Sequence, residues 1–137
     1  MTAVRVGLAT LAVLELALGI WTQWFPASFY ALVPTVDLTP PYSEHFVRDF
    51  GGATTGIAIV LGAAAVWMDR RLVIVALIAY LVFAVPHTAF HLQHLEHATP
   101  GQATTLAGGL ISLTLLAAVL LILAIQAAPA AHRDVRG

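Results

Sequence analysis

Four of the six histidines, His87, His91, His94 and His97, fall within the stretch PHTAFHLQHLEH that opens at Pro86. A continuous helix turning about 100° per residue places all four in an arc of about 120°. His87, His91 and His94 have the i, i+4, i+7 spacing that presents several imidazoles to one centre. Tyr80 and Phe83 extend the stripe along the same face. Neutral imidazole suits Zn, Cu(II), Ni and Fe, and histidine is also an axial ligand of haem iron, as in haem b. Cuprous copper fits less well, because the chain has no cysteine and its internal methionine, Met68, lies far from the histidines in the sequence.

A structural metal site usually takes four ligands, so a second helix has to contribute. His45 is the expected partner, with Glu44, Asp49 and Glu96 as further ligands or acceptors for imidazole N–H groups. Pro86 cannot donate to the carbonyl of Val82, which predicts a kink just before the histidines. The alternative is a set of histidines at a membrane interface that hold no ligand.

Glu15 is the second chemical feature. It interrupts an otherwise apolar run, and an acid inside a membrane is costly enough to mark a functional site or a packing contact. Arg48 or a histidine of the stripe is its expected partner. Arg48 and Asp49 also read as an interfacial pair, or as members of one polar cluster with Glu15 and the histidines.

The elements that carry these residues follow from composition. Of 137 residues, 60% are hydrophobic and 9% charged, and lysine is absent. Soluble domains carry about a quarter charged residues, so lipid has to replace water over most of this surface. A net charge of -1 gives no basic field for nucleic acid. The absence of cysteine excludes disulfides and thiolate chemistry.

Four runs reach the roughly 20 apolar residues that a membrane helix needs: 6–25, 50–68, 72–92 and 104–128. They are too long and too uniform for barrel strands, which leaves helices as the spanning structure. The expected fold is all-α: one transmembrane domain, an integral membrane four-helix bundle with a proline-rich outer loop at 26–45 and a frayed tail at 129–137. Within that loop, 27–33 is long enough for a short helix. Trp21, Trp24, Phe25, Phe29, Tyr30 and Tyr42 suit an interfacial aromatic belt. A signal peptide at the amino end fits less well, because Glu15 and two tryptophans stand where its core and cleavage site belong.

Arg5, Arg70, Arg71, Arg133 and Arg136 fall on one side of such a bundle, and Arg48 alone on the other. The bias of arginine toward the cytoplasm predicts cytoplasmic termini, a plasma-membrane location and an outward-facing histidine end. The very short turn at Asp69-Arg70-Arg71 predicts that the second and third spans are antiparallel neighbours. Gly52 and Gly56 form a small-xxx-small pattern expected to let another helix approach, and Gly108 and Gly109 are expected to do the same on the fourth span.

An acid inside the first helix, an aromatic- and proline-rich loop, and then HFVRDFGGATTGIAIVL on the second helix resemble the DoxX-like small four-helix membrane proteins. The resemblance covers the first two helices and the overall topology. It implies a fold and a membrane address, with links to redox or quinone-related complexes. Three functions are expected from the residues: a binding protein for a transition metal or haem, an accessory or scaffold subunit of a larger membrane complex or homo-oligomer, or a proton-linked carrier using Glu15 and Arg48.

Overall fold

The structure, a computed structural model, describes residues 1–38 and 41–127. The expected tail at 129–137, with Arg133 and Arg136, and residue 128 of the expected fourth span lie outside them. Five α-helices and one 3-10 turn are present among the described residues: α1 Thr2–Trp24, α2 Pro26–Leu32, the turn Val36–Leu38, α3 Glu44–Trp67, α4 Arg70–Gln93 and α5 Pro100–Gln126. The four long ones are apolar and long enough to cross a bilayer, so the chain fits a small multi-pass membrane protein.

The helix ends have local causes. Pro26 has no N–H to continue α1 and becomes the first residue of α2 instead. α3 begins at Glu44, ahead of the expected 50, because Ser43 is an extended N-cap and the polar run that follows is helical. At its other end Met68 adopts a left-handed conformation (φ 53°) and closes α3 through its N–H on Ala64 O at 2.9 Å. Asp69 then caps α4 by accepting from Leu72 N at 2.9 Å.

Thr99 and Gln102 form a capping box with Pro100 at the first helical position, so α5 begins before the expected 104. α4 ends at Gln93 and runs through Pro86 as one element. The arc expected of four histidines therefore stops at two. His94 is the C-cap, its N–H on His91 O at 3.2 Å, and His97 lies in the turn beyond.

The spans close in a ring in the order α1, α3, α4, α5, and α1 packs most extensively on α3 and α4 on α5. α3 and α4 touch, as their short connection requires, but less extensively. α1 and α4 face each other across the diagonal with no Cα pair within 8 Å. Leu8, Leu11, Leu61, Val73 and Leu77 fill the core between them. In lipid such packing is held by van der Waals contact, because burial from lipid gains little hydrophobic free energy.

The close approach of α1 to α3 runs through Gly19 and Gly51. A methyl on Gly19 would stand 2.8 Å from Thr55 N and 3.0 Å from Gly51 O. One on Gly51 would stand 2.7 Å from Thr22 Oγ1 and 2.8 Å from Gln23 Cα. The expected Gly56, Gly108 and Gly109 face open space, and Gly52 meets only the Gln23 side chain. The faces of Gly56, Gly108 and Gly109 point away from the crossings.

α1 begins and α5 ends at the same end of the bundle. There Arg70 donates to Ala124 O at 3.1 Å and Ile125 O at 2.7 Å, satisfying carbonyls that the last turn of α5 leaves free. Met1, Thr2 and Arg5 border Met68 at that end. The histidines lie at the opposite end, under α2.

Candidate functional site

The diagonal gap between α1 and α4 is where the polar side chains meet. Glu15, near the middle of α1, is 5% exposed, and Tyr80 on α4 is 2% exposed. Tyr80 faces Glu15 across a shared cavity. Among the described residues Glu15 Oε2 has no hydrogen-bond partner. Both residues line a cavity of about 80 Å³ with Phe50, Phe83, His87 and the Thr88–Thr114 pair. Those two hydroxyls are 2.9 Å apart, joining α4 to α5.

Toward the α2 end lies a second, larger space, a cleft of about 480 Å³. Leu18, Phe50 and His87 border both spaces, so the two share walls. Trp21 of α1, Phe29 of α2, Val36 of the 3-10 turn, His91 of α4 and Leu106 of α5 complete the cleft. Every span and the outer connection thus contribute. Trp21 is held by its indole N–H on Ser28 Oγ at 3.2 Å and by an edge contact with Phe29 at 5.6 Å.

His87 stacks on Phe83 at 5.0 Å between ring centroids and on Phe50 at 6.3 Å. His91 meets His87 edge-on at 4.6 Å, and its buried Nδ1 has no partner among the described residues. These are the two histidines that the fold brings together.

The others lie elsewhere. His94 stacks on Phe90 at 4.1 Å, with Nδ1 2.7 Å from Phe90 O. His45 pairs with Asp49 at 3.3 Å, both well exposed on α3. Glu96 and His97 are exposed in the turn after α4. Arg48 donates to Glu44 at 2.9 Å and to Gln23 O at 2.6 Å, so it closes the end of α1 and does not line the Glu15 cavity. The partner that Glu15 meets is Tyr80.

Among the described residues no three His, Cys, Asp or Glu side chains form a group that could hold a metal ion. His87 and His91 offer two imidazoles, which is half a tetrahedral set. One turn apart on one helix, they also cannot approach a haem from opposite faces, so they offer it one axial ligand and not two.

Thr88, Thr114 and Leu18 were not among the residues singled out from sequence. Thr88 stands one residue from His87 and is the polar neighbour that the sequence could have supplied. Leu18 carries no chemical signal and is found only by its place between the cavities. No family model, no curated protein and no solved structure matches the chain.

Proposed function

We propose that this small multi-pass membrane protein binds an apolar, ring-bearing small molecule in the cleft beneath α2. The observation that supports this reading is a space of about 480 Å³ walled by Trp21, Phe29, Phe50, His87 and His91. Ligand pockets have this size, with mostly apolar walls and a few placed polar groups. The two imidazoles are those groups, and Glu15 and Tyr80 line the smaller cavity beside the cleft.

The cleft opens at the extracytoplasmic face of a plasma membrane, with both termini cytoplasmic. Arg5, Arg70 and Arg71 at the opposite end support that orientation. The likeness to DoxX-like proteins belongs to the same reading, as a likeness of layout.

The test uses intrinsic fluorescence. Trp24 and Trp67 are exposed, so Trp24→Phe with Trp67→Phe leaves Trp21 as the sole reporter. N-phenyl-1-naphthylamine, a neutral apolar probe, should quench Trp21 saturably in mild detergent, beyond its partition into protein-free micelles. Linear quenching with no saturation would remove the cleft as a binding site.

A second reading is favoured by the orphaned His91 Nδ1 beside His87. Here the pair holds a divalent transition metal whose remaining ligands come from water or from the bound molecule. Cobalt(II) titration should then produce visible d–d bands that saturate at one equivalent and vanish in His91→Ala. A spectrum indistinguishable from cobalt in buffer would eliminate this reading.

A further inference from the structure

Among the described residues no cation stands opposite the Glu15 carboxyl. Arg48 is tied to Glu44 and to the end of α1. Arg70 caps α5, and Arg5 lies with Met68 at the far end. The titratable groups that face Glu15 are Tyr80 and His87, both from α4. α3 contributes Phe50 to the same space, and α5 contributes Leu110, Leu113 and Thr114. Among the described residues the acid is therefore buried, with one oxygen unpartnered and without a counter-ion. An isolated carboxylate in so apolar a setting costs far more free energy than folding supplies. It is made neutral in one of two ways: it holds a proton, or it holds a cation.

The walls select the kind of cation. Tyr80, Phe50 and Phe83 offer ring faces, to which an organic ammonium is attracted. The carboxylate supplies the charge. A cavity of about 80 Å³ accepts a methylated ammonium head, and the adjoining cleft of about 480 Å³ accepts an aromatic body. A hydrated inorganic cation would find few oxygen ligands here. Calcium takes six to eight, and the cavity offers one carboxyl and three hydroxyls.

We propose that the cleft binds lipophilic organic cations, an aromatic body carrying one ammonium head, and that the head exchanges with a proton on Glu15. This inference rests on the cleft reading above and adds the class of ligand. The step balances as an ion exchange: the carboxyl O–H is broken, the proton leaves to water, and the carboxylate pairs with the incoming cation. The Tyr80 hydroxyl donates to the carboxylate while the head occupies the cavity.

The experiment compares two isosteres, naphthylmethyl-trimethylammonium and neutral neopentylnaphthalene, which differ by nitrogen against carbon at the head. Both are titrated by Trp21 quenching at pH 8 in nonionic detergent and corrected for partition into protein-free micelles. The cation should bind at least tenfold more tightly than its neutral twin. In Glu15→Gln that preference should vanish, while the affinity of the neutral twin stays the same. Unsubstituted protein should also release a proton on binding the cation and none on binding the twin, seen as a binding heat that depends on the buffer's ionisation enthalpy. The proton measurement decides the matter even if Glu15→Gln does not fold. Equal affinities for the two isosteres, or a preference that survives Glu15→Gln, would overturn the proposal and leave the cleft reading standing. Failure of both molecules to bind would overturn the two together.

Discussion

Gly51→Ala will lower the thermal unfolding midpoint of the protein in mild detergent, and Gly56→Ala on the same helix will hold or raise it, because alanine favours a helix over glycine. The two substitutions add the same methyl group to α3. At Gly51 that methyl meets Thr22 Oγ1 at 2.7 Å and Gln23 Cα at 2.8 Å. Part of what it meets is backbone inside a helix, which cannot rotate aside as a side chain would. α1 and α3 must move apart, and the core contacts of Leu8, Leu11 and Leu61 loosen with them. Forcing extra volume into a packed interior costs about 1–3 kcal/mol. At Gly56 nothing lies within 4 Å, so the methyl points into free space. Circular dichroism melts of the two variants beside the unsubstituted protein make the comparison. Equal midpoints for all three would mean that α1 and α3 do not cross at Gly19 and Gly51.

Leu18→Trp should close the site while leaving the fold intact. Leu18 borders both the cleft and the Glu15 cavity, and it is partly buried, with its α1 neighbour Gly19 at the helix crossing. An indole at this position extends into existing space, so it fills a void and does not displace packed atoms. The molecules titrated above need that space for the link between ring and head. Their affinity should fall about a hundredfold, equivalent to roughly 2.8 kcal/mol, with the melting midpoint held or raised. An undiminished affinity in a folded Leu18→Trp protein would place the bound molecule somewhere else.

The spans were legible because a bilayer imposes one simple demand, a long apolar helix, and the chain meets it four times. The same uniformity hid the packing. Helices that are apolar on nearly every face show no stripe that tells an inner side from an outer one. Gly52 and Gly56 therefore read as well as Gly19 and Gly51, and only the helix pairing separates them.

Glu15 and the His87–His91 pair were visible from residue type alone. That Glu15 meets Tyr80 depends on a diagonal no local pattern encodes. The expected end of the third span at 92 lies within one residue of Gln93, but the histidine stripe extends in sequence to His97 because Leu92-Gln93-His94-Leu95 continues a helical rhythm. The signal for its replacement stood a few residues on, where Thr99-Pro100-Gly101-Gln102 spells a helix start. Arg48 was hard to place from sequence, since a free helix carbonyl such as that of Gln23 attracts a guanidinium as an acid does.

The ring of helices is unevenly joined, close between α1 and α3 and between α4 and α5, looser where the two pairs meet. On packing grounds the molecule should behave as two stiff boards sharing a soft seam. Tilting one board against the other disturbs the fewest packed atoms, so it is the deformation that thermal motion excites most readily. Glu15 and His87 stand on opposite boards, and each such tilt widens or narrows the gap between them. For the guest proposed above, dissolved in the surrounding lipid, the seam would serve as the entrance without a water-filled passage.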